Sequence, residues 1–160
     1  MVSNLFGSGA KKSQYIVIVG CGRLGSMLAG QLSSQGHSVV VIDQKEKTFG
    51  NLPSEFSGFN IVGDAAELAT LRQAKVDKAD CLLAVTSEDN INLMVAQIAR
   101  TIFEIPTVLA RVFDPAREAI YQELEIDTIS PTQLSADRFL QKLEERFKVQ
   151  NQQSAKQAVK

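Results

Sequence analysis

The chain has 160 residues, close to the length of a single domain. Its 17 Lys and Arg residues nearly balance its 18 Asp and Glu residues, which argues against a nucleic-acid-binding protein, because contact with the phosphate backbone needs a basic excess. Apolar residues make up 44% of the chain, enough for an ordinary core, but the longest apolar runs have five residues and a bilayer needs about 20. The N-terminus also lacks the charged start and apolar region of a signal peptide, so the sequence predicts a cytoplasmic protein.

The cysteine and histidine residues exclude several kinds of site. Cys21 and Cys81 are too few for a disulfide scaffold, and a thiol in an apolar strand segment is usually a small core residue. With one histidine and no paired cysteines, no zinc cluster can be assembled. His37 falls in a polar turn, and no G-x-S-x-G motif of a hydrolase accompanies it. The sequence therefore predicts neither a catalytic residue nor a metal ligand.

Six short, β-branched apolar runs alternate with helical segments along the chain. Continuous apolar runs of this kind are typical of strands that are buried on both faces of a parallel sheet. The predicted strands are Tyr15–Val19, Ser38–Ile42, Phe59–Val62, Ala79–Val85, Thr107–Ala110 and, with a weaker pattern, Ile126–Ile129.

Helical periodicity occupies the segments between these strands. Apolar residues recur every three or four positions after the first and fourth strands and, over a shorter stretch, after the third. The least regular stretch is 44–57, which contains both a glycine and a proline. Candidate helix starts are two pairs that resemble capping boxes and two caps that precede a proline, namely Asp64 with Glu67, Thr86 with Asp89, Asp114 and Ser130.

Alternating strands and helices predict an α/β fold. We expect a Rossmann-type, doubly wound parallel sheet of about six strands, with helices on both faces and an extra C-terminal helix. The domain is predicted at 14–130, between a flexible arm at 1–13 and the C-terminal helix at 131–149, with a flexible tail at 150–160. The C-terminal helix carries an apolar stripe that packs either on a partner or back on its own sheet; the stripe comprises Leu134, Ala136, Leu140, Leu143 and Phe147, with Phe139 alongside.

A glycine-rich motif lies directly after the first strand. It has the pattern G-x-G-x-x-G and consists of Gly20, Cys21, Gly22, Arg23, Leu24 and Gly25. We expect Gly20 to make a tight turn, Gly22 to let a phosphate approach the backbone and Gly25 to let the following helix pack closely. The N-terminus of that helix offers free N–H groups and a partial positive charge to phosphate.

An acidic residue ends the second strand, as a dinucleotide site requires. Asp43 lies 43 − 25 = 18 residues after the last glycine of the motif, close to the expected ~20. Its carboxylate can accept hydrogen bonds from both ribose hydroxyls and would repel a 2′-phosphate, although Lys45 and Lys47 could weaken that repulsion. The sequence therefore favours NAD(H) over NADP. The alternative is an ordinary strand–helix turn with a solvated aspartate.

The ends of the third and fourth strands are predicted to border the same nucleotide site, a crevice at the carboxyl edge of the sheet. In the dinucleotide-binding strand order, Asp64 and Ala65 fall near the adenine end, and Thr86 falls opposite the glycine turn. Helix capping is an equally good reading of Asp64 and of Thr86.

Taken together, these motifs resemble an RCK N-terminal domain, also called a KTN or TrkA-N domain. The similarity covers residues 15–130. It rests on VGCGRLG in the glycine turn, the strand-ending Asp43, VGDA at Val62–Ala65, AVTSEDNIN at Ala84–Asn92 and ARVFDP at Ala110–Pro115.

The resemblance implies ligands and partners that the residues alone do not. Family ligands include NAD(H), ATP, ADP and AMP; the loop at 21–25 would hold phosphates, with Arg23 reaching a terminal phosphate or a partner subunit, and Arg111 would face the crevice. Family members are cytosolic regulators of potassium channels and of Trk- or Ktr-type transporters. They pair through their late helices and often form rings, which implies a homodimer or larger ring, a membrane potassium channel or another RCK chain as partner, and a place at the inner face of the membrane. We expect no counterpart of the second regulatory domain that longer members carry.

Two alternatives use the same nucleotide differently. An NAD-dependent oxidoreductase needs a substrate pocket and usually a general acid or base. The Tyr-x-x-x-Lys pair of short-chain dehydrogenases is absent, because Val19 and Glu125 stand where the lysine would follow Tyr15 and Tyr121. A nucleotide-sensing module for some other partner is the second alternative. The sequence predicts that the chain is not an enzyme.

Overall fold

The computed structural model describes residues 12–158, with side chains as far as residue 153. Within this range one sheet of six parallel strands has the order β3-β2-β1-β4-β5-β6. The strands are β1 Tyr15–Val19, β2 Ser38–Asp43, β3 Phe59–Val62, β4 Cys81–Ala84, β5 Thr107–Arg111 and β6 Asp127–Ile129. The predicted fold class and the six strands are confirmed, with ends shifted by two residues at most.

The strand order reverses between β1 and β4, which are neighbours at the centre of the sheet. In the register, Val19 of β1 is level with Ile42 of β2 and Ala84 of β4, so the carboxyl ends of these strands meet at one edge. Loops that leave this edge diverge to opposite sides, which opens a crevice at the switch point.

Five α-helices connect or follow the strands in the described residues: α1 Arg23–Ser34, α2 Leu68–Gln73, α3 Asp89–Thr101, α4 Glu118–Glu123 and α5 Pro131–Ala158. The irregular stretch after β2 forms a short 3-10 segment, Glu46–Asn51, in place of an α-helix.

The core has two layers, one on each face of the sheet. Side chains of α2, α3 and α4 pack on one face, where Leu71, Val95 and Tyr121 are fully or almost fully buried. On the other face, Ala29 of α1 and the 3-10 segment cover β1 and β2. Burial on both faces explains why β1, β2 and β4 have continuous apolar sequences.

Helix α5 is longer than predicted, and its apolar stripe does not pack back on its own sheet. It continues to Ala158, nine residues past the predicted end at 149 and into the segment 150–160 predicted as a tail. No glycine or proline interrupts 132–158, and glutamine, alanine and lysine favour a helix. Residues 1–11 of the predicted arm and residues 159–160 lie outside the described range. The apolar stripe of α5 is exposed, with Phe139 at 73% and Leu140 at 60%, so the reading in which α5 folds back on its own sheet is wrong.

Two of the four predicted helix starts are confirmed. Asp114 accepts a hydrogen bond from Ala116 N before a 3-10 turn, and Ser130 Oγ accepts one from Gln133 N at the start of α5. Neither capping box forms, because Asp64, Thr86 and Asp89 make other contacts, which are described below, and α2 begins after Glu67 without a side-chain cap. No helix among the described residues has the length and apolarity that crossing a membrane requires.

Candidate functional site

A crevice of about 920 Å³ lies along the carboxyl ends of the central strands. That size suits a nucleotide-sized ligand. Nine of the eleven predicted binding residues line it, namely Gly20, Gly22, Arg23, Leu24, Asp43, Asp64, Ala65, Thr86 and Arg111. The other two, Cys21 and Gly25, lie behind its surface.

The three glycines of the loop do different things. Gly20 has a φ of +104°. It also lies so close to the segment that follows β4 that a Cβ would be 2.9 Å from Thr86 N. A Cβ on Gly25 would be 1.8 Å from Gly20 O, so α1 packs against the loop without room for a side chain. At Gly22, by contrast, φ is −74° and no described atom lies within 4 Å of a Cβ. The fold itself therefore does not require glycine at position 22, whereas a phosphate that approached the backbone would.

The N-terminus of α1 borders the crevice without a side-chain cap. Gly22 occupies the N-cap position, and no described side chain accepts a hydrogen bond from the first-turn N–H groups. These donors and the helix dipole favour an anion at this point.

Asp43 connects the end of β2 to the glycine loop. Its Oδ2 accepts a hydrogen bond from Cys21 N at 2.8 Å, and its Oδ1 accepts one from Lys45 N at 2.9 Å. Each carboxylate oxygen keeps a second lone pair, so ribose hydroxyls can still donate to Asp43. Asp43 thus holds the loop in addition to its predicted contact with a ligand.

Cys21 takes part in the core and not in the crevice. Its side chain is completely buried in the layer beneath α1, and its N–H already donates to Asp43. Burial, with a smaller contribution from the Asp43 charge, raises the pKa of the Cys21 thiol to about 11. The residue is therefore an uncharged packing group, and the phosphate contact implied for it would need an N–H that is already used.

Thr86 is held in place by Asn92, which lies in the first turn of α3 and is completely buried. The Oδ1 of Asn92 accepts hydrogen bonds from Thr86 N at 2.9 Å and Thr86 Oγ at 2.7 Å. Its Nδ2 donates to Thr86 O at 3.1 Å and to Arg111 O at 3.0 Å. The predicted capping box of Thr86 with Asp89 is replaced by this network.

Asp89 reaches forward to the loop after β5. Its two carboxylate oxygens accept hydrogen bonds from Phe113 N at 2.7 Å and Asp114 N at 3.0 Å. Tyr121 Oη donates to the carbonyl of Asp89 at 2.6 Å. The first turn of α3 therefore supports both the Thr86 side and the Arg111 side of the crevice.

Arg111 ends β5 and supplies a cation with an unsatisfied donor. Its guanidinium lies 5.1 Å from the centre of the Phe113 ring, and Phe113 also lines the crevice. Among the residues that the structure describes, none accepts a hydrogen bond from the buried Nε of Arg111. A buried donor without a partner is costly. Arg111 lines the crevice, and its positive charge favours an anion there.

The far end of the crevice is bordered by the turn after β3. Asp64 Oδ1 accepts a hydrogen bond from Ala66 N at 2.8 Å, which makes a local turn. Glu67 precedes α2 without any side-chain cap, so the predicted capping box is wrong. Ala65 is buried against the core and forms part of the crevice floor.

Several residues that line or support the crevice were not predicted from the sequence. Phe113 and the start of α5, through Pro131 and Ser135, line the crevice, and Asn92 and Asp89 support it. A polar residue inside the apolar period of α3 was a usable signal for Asn92, because a buried amide normally has hydrogen-bond partners. No local pattern marks Ser135.

Residues 16–131 match the model of the TrkA-N domain. The chain belongs to the TrkA-N family. One curated relative is the Trk system potassium uptake protein TrkA of Streptomyces coelicolor, 43% identical over 129 residues that cover 81% of this chain and 58% of that protein. Another is the TrkA homolog of Methanothermobacter thermautotrophicus, 35% identical over 135 residues that cover 84% of this chain and 62% of that protein. The chain thus spans about three fifths of the length of these two relatives.

Solved structures share the fold at lower identity. The TrkA-N domain of the inner membrane protein ybaL from Escherichia coli has a TM-score of 0.73 at 21% identity, over 83% of this chain and 98% of that one. The GsuK RCK domain has a TM-score of 0.72 at 24% identity, over 84% of this chain and 29% of that one. Other chains with this fold are the GsuK channel bound to NAD, GsuK bound to ADP and the Shewanella denitrificans Kef CTD in its AMP-bound form, with TM-scores of 0.61, 0.62 and 0.66.

Proposed function

We propose that this chain is a nucleotide-binding regulatory domain of a potassium uptake system, and that an adenine nucleotide binds in its crevice and controls transport. The observation that carries the proposal is that the Arg111 cation lines the same crevice as the N-terminus of α1, which has no side-chain cap. Two separate sets of donors there favour an anion, and the family relationship supports phosphate as that anion.

Each part of a nucleotide has residues that fit it. The ribose hydroxyls would donate to Asp43, which lines the crevice at the end of β2. The adenine would lie near Asp64 and Ala65 at the end of β3. The phosphates would lie between the N-terminus of α1 and Arg111, with Arg23 exposed at the rim of the crevice.

The proposed ligand is NAD(H), ATP, ADP or AMP, and not NADP. Asp43 would be in contact with a 2′-phosphate, and two negative charges in contact repel each other. Lys45 lines the crevice nearby, so the discrimination is an electrostatic balance that a titration can measure. NAD, ADP and AMP in the fold neighbours support the choice of an adenine nucleotide.

We propose a regulatory role without catalysis. None of the described residues that line the crevice is a histidine, the side chain that most often acts as a general acid or base. The named relatives are potassium uptake proteins, which supports a transport role over a dehydrogenase.

Regulation requires a partner, and α5 is the surface that we propose for assembly. Its apolar stripe is exposed along the helix, and its start lines the crevice through Pro131 and Ser135. A second copy of the chain would cover the stripe and form a homodimer or a larger ring. A ring of this kind would act from the cytoplasm on a membrane potassium transporter, alone or mixed with other RCK chains.

A ligand can shift such an assembly only by the difference between its affinities for two states. Because α5 begins at the crevice, a nucleotide that contacts Arg111 and Ser135 together would alter the direction in which α5 leaves the domain. A change in that direction is what a membrane partner would sense.

The test has two stages. Calorimetry with NADH, NADPH, ATP, ADP and AMP should show binding of at least one adenine nucleotide and weaker binding of NADPH than of NADH. Potassium flux into liposomes that hold a Trk-type transporter should then depend on the protein and on the bound nucleotide. Absence of all binding contradicts the site, whereas binding without any effect on flux contradicts the regulatory role.

A further inference from the structure

Asn92 is the one fully buried side-chain amide in the described residues. It makes four hydrogen bonds, three of them to Thr86 and one to the carbonyl of Arg111. Both of these residues line the crevice. A single side chain therefore joins the two strand ends that border the phosphate side of the proposed site.

The link lies where the ladder between β4 and β5 ends. The register of β4 with β5 runs from Cys81 opposite Thr107 to Ala84 opposite Ala110. Thr86 and Arg111 lie beyond that last pair, so the ladder does not set their separation. The carboxamide of Asn92 holds the two strand ends together instead, because its Nδ2 donates to Arg111 O at 3.0 Å and to Thr86 O at 3.1 Å.

Only a carboxamide can make this set of bonds. Its oxygen accepts from an N–H and a hydroxyl, and its nitrogen donates to two carbonyls. The direction of the amide is determined, because Thr86 N can only donate and Arg111 O can only accept. An aspartate at this position has no donors and would place an oxygen against two carbonyl oxygens.

We propose that Asn92 is the positioning residue of the crevice: it fixes the separation of Thr86 and Arg111 and so determines how tightly the crevice holds phosphate groups. This inference rests on the proposed binding of an adenine nucleotide. Asn92 does not touch the ligand. It acts through Arg111, which lines the crevice and whose guanidinium must lie at the correct distance from the phosphate.

A purely structural role for Asn92 makes different predictions. A structural amide would lower stability when replaced, and every ligand of the folded protein would be affected alike. A positioning role affects phosphate and spares the nucleoside, because Asp43 and Asp64 lie on the other side of the switch point. Adenosine and ADP therefore serve as probes that differ only in phosphate.

The experiment measures adenosine and ADP binding by calorimetry for the wild type, Asn92→Asp and Asn92→Ser. Both variants should bind ADP at least about tenfold more weakly, as expected from the loss of a properly placed charged hydrogen bond, and adenosine within about threefold of the wild type. Asn90→Asp is the matched control, because Asn90 lies in the same helical turn, is exposed and bonds Arg117 outside the crevice. It should bind both probes like the wild type.

A double-mutant cycle tests whether Asn92 acts through Arg111. In an Arg111→Met background, Asn92→Ser should no longer change ADP affinity. Wild-type ADP affinity in both Asn92 variants, equal losses for adenosine and ADP, or an undiminished effect in the Arg111→Met background would each overturn the proposal. If the wild type binds neither probe, the proposed nucleotide site itself is wrong, which is a separate outcome.

Discussion

Asp43 Oδ2 accepts a hydrogen bond from Cys21 N at 2.8 Å, and this bond joins the end of β2 to the glycine loop after β1. The carboxylate therefore has a role in the protein before any ligand arrives. It holds the loop in the shape that leaves the N-terminus of α1 open to the crevice. The predicted contact with ribose and the structural contact with the loop use the same side chain.

Replacing Asp43 should affect both the ligand and the loop. We expect Asp43→Ala to weaken nucleotide binding by about 2–4 kcal/mol, because charged hydrogen bonds to ribose are lost together with support of the loop. Amide hydrogen exchange at Cys21 should become faster. Asp80→Ala is the control, because Asp80 accepts a bond from Tyr15 N at the opposite end of β1, away from the crevice. Equal binding by the wild type and Asp43→Ala would remove Asp43 from the site.

Two glycines of the same loop should respond oppositely to alanine. Gly25→Ala should destabilise the fold by about 3 kcal/mol, because its Cβ would be 1.8 Å from Gly20 O. Gly22→Ala should change stability by less than about 1 kcal/mol, because the position is open and φ is −74°, and should instead weaken binding of ADP. Thermal unfolding and calorimetry on both variants check this pair. A stable Gly25→Ala protein would show that α1 can move away from the loop.

Arg111 should be required for phosphate and dispensable for adenosine. Arg111→Met keeps an apolar stem against Phe113 but removes the charge and the unsatisfied Nε. ADP binding should weaken at least about tenfold, in line with the loss of a charge-assisted hydrogen bond. Arg117→Met is the control, because Arg117 bonds Asn90 and lies outside the crevice. If both variants bind ADP equally well, Arg111 does not face the phosphates.

The thiol of Cys21 should make stability depend on alkaline pH. Burial raises its pKa from 9.0 to about 11 in the folded protein, so the folded state holds the proton more tightly than the unfolded state. This contribution is fully present below pH 9 and is lost as pH rises to 11, on the order of 2 kcal/mol in all. Urea unfolding from pH 8 to pH 11 should show a steeper decline for the wild type than for Cys21→Ala. Parallel curves for the two proteins would contradict the buried, protonated thiol.

The stripe on α5 should decide the oligomeric state. The double variant Phe139→Asp with Leu143→Asp places two charges in the stripe and should lower the mass measured by light scattering. Gln141→Asp is the control, because residue 141 lies on the side of the helix opposite Phe139 and Leu143. A wild-type protein that is monomeric at high concentration, or a double variant of unchanged mass, would rule out assembly through α5.

The sequence by itself determined the fold and the location of the crevice. Continuous apolar runs and period-3.6 patterns are local properties of the sequence, so the runs of β1, β2 and β4 and the stripe of α3 were sufficient to place these elements. The chain order of strand, helix and strand then sets the handedness and the switch point. Gly20, Asp43, Asp64 and Thr86 follow from that topology, because each is the last residue of a strand or lies within two residues of its end.

Only the tertiary structure decided which polar groups satisfy one another. Asp43 bonds Cys21, Asn92 joins Thr86 to Arg111, and Asp89 holds the loop after β5. These partners are far apart in sequence, and a donor selects its acceptor by distance and angle after the sheet has formed. The direction in which α5 leaves the sheet was likewise decided only by the tertiary structure. Its amphipathic pattern predicts a buried face, but only the geometry of the sheet edge shows that α5 leaves its own domain with that face uncovered.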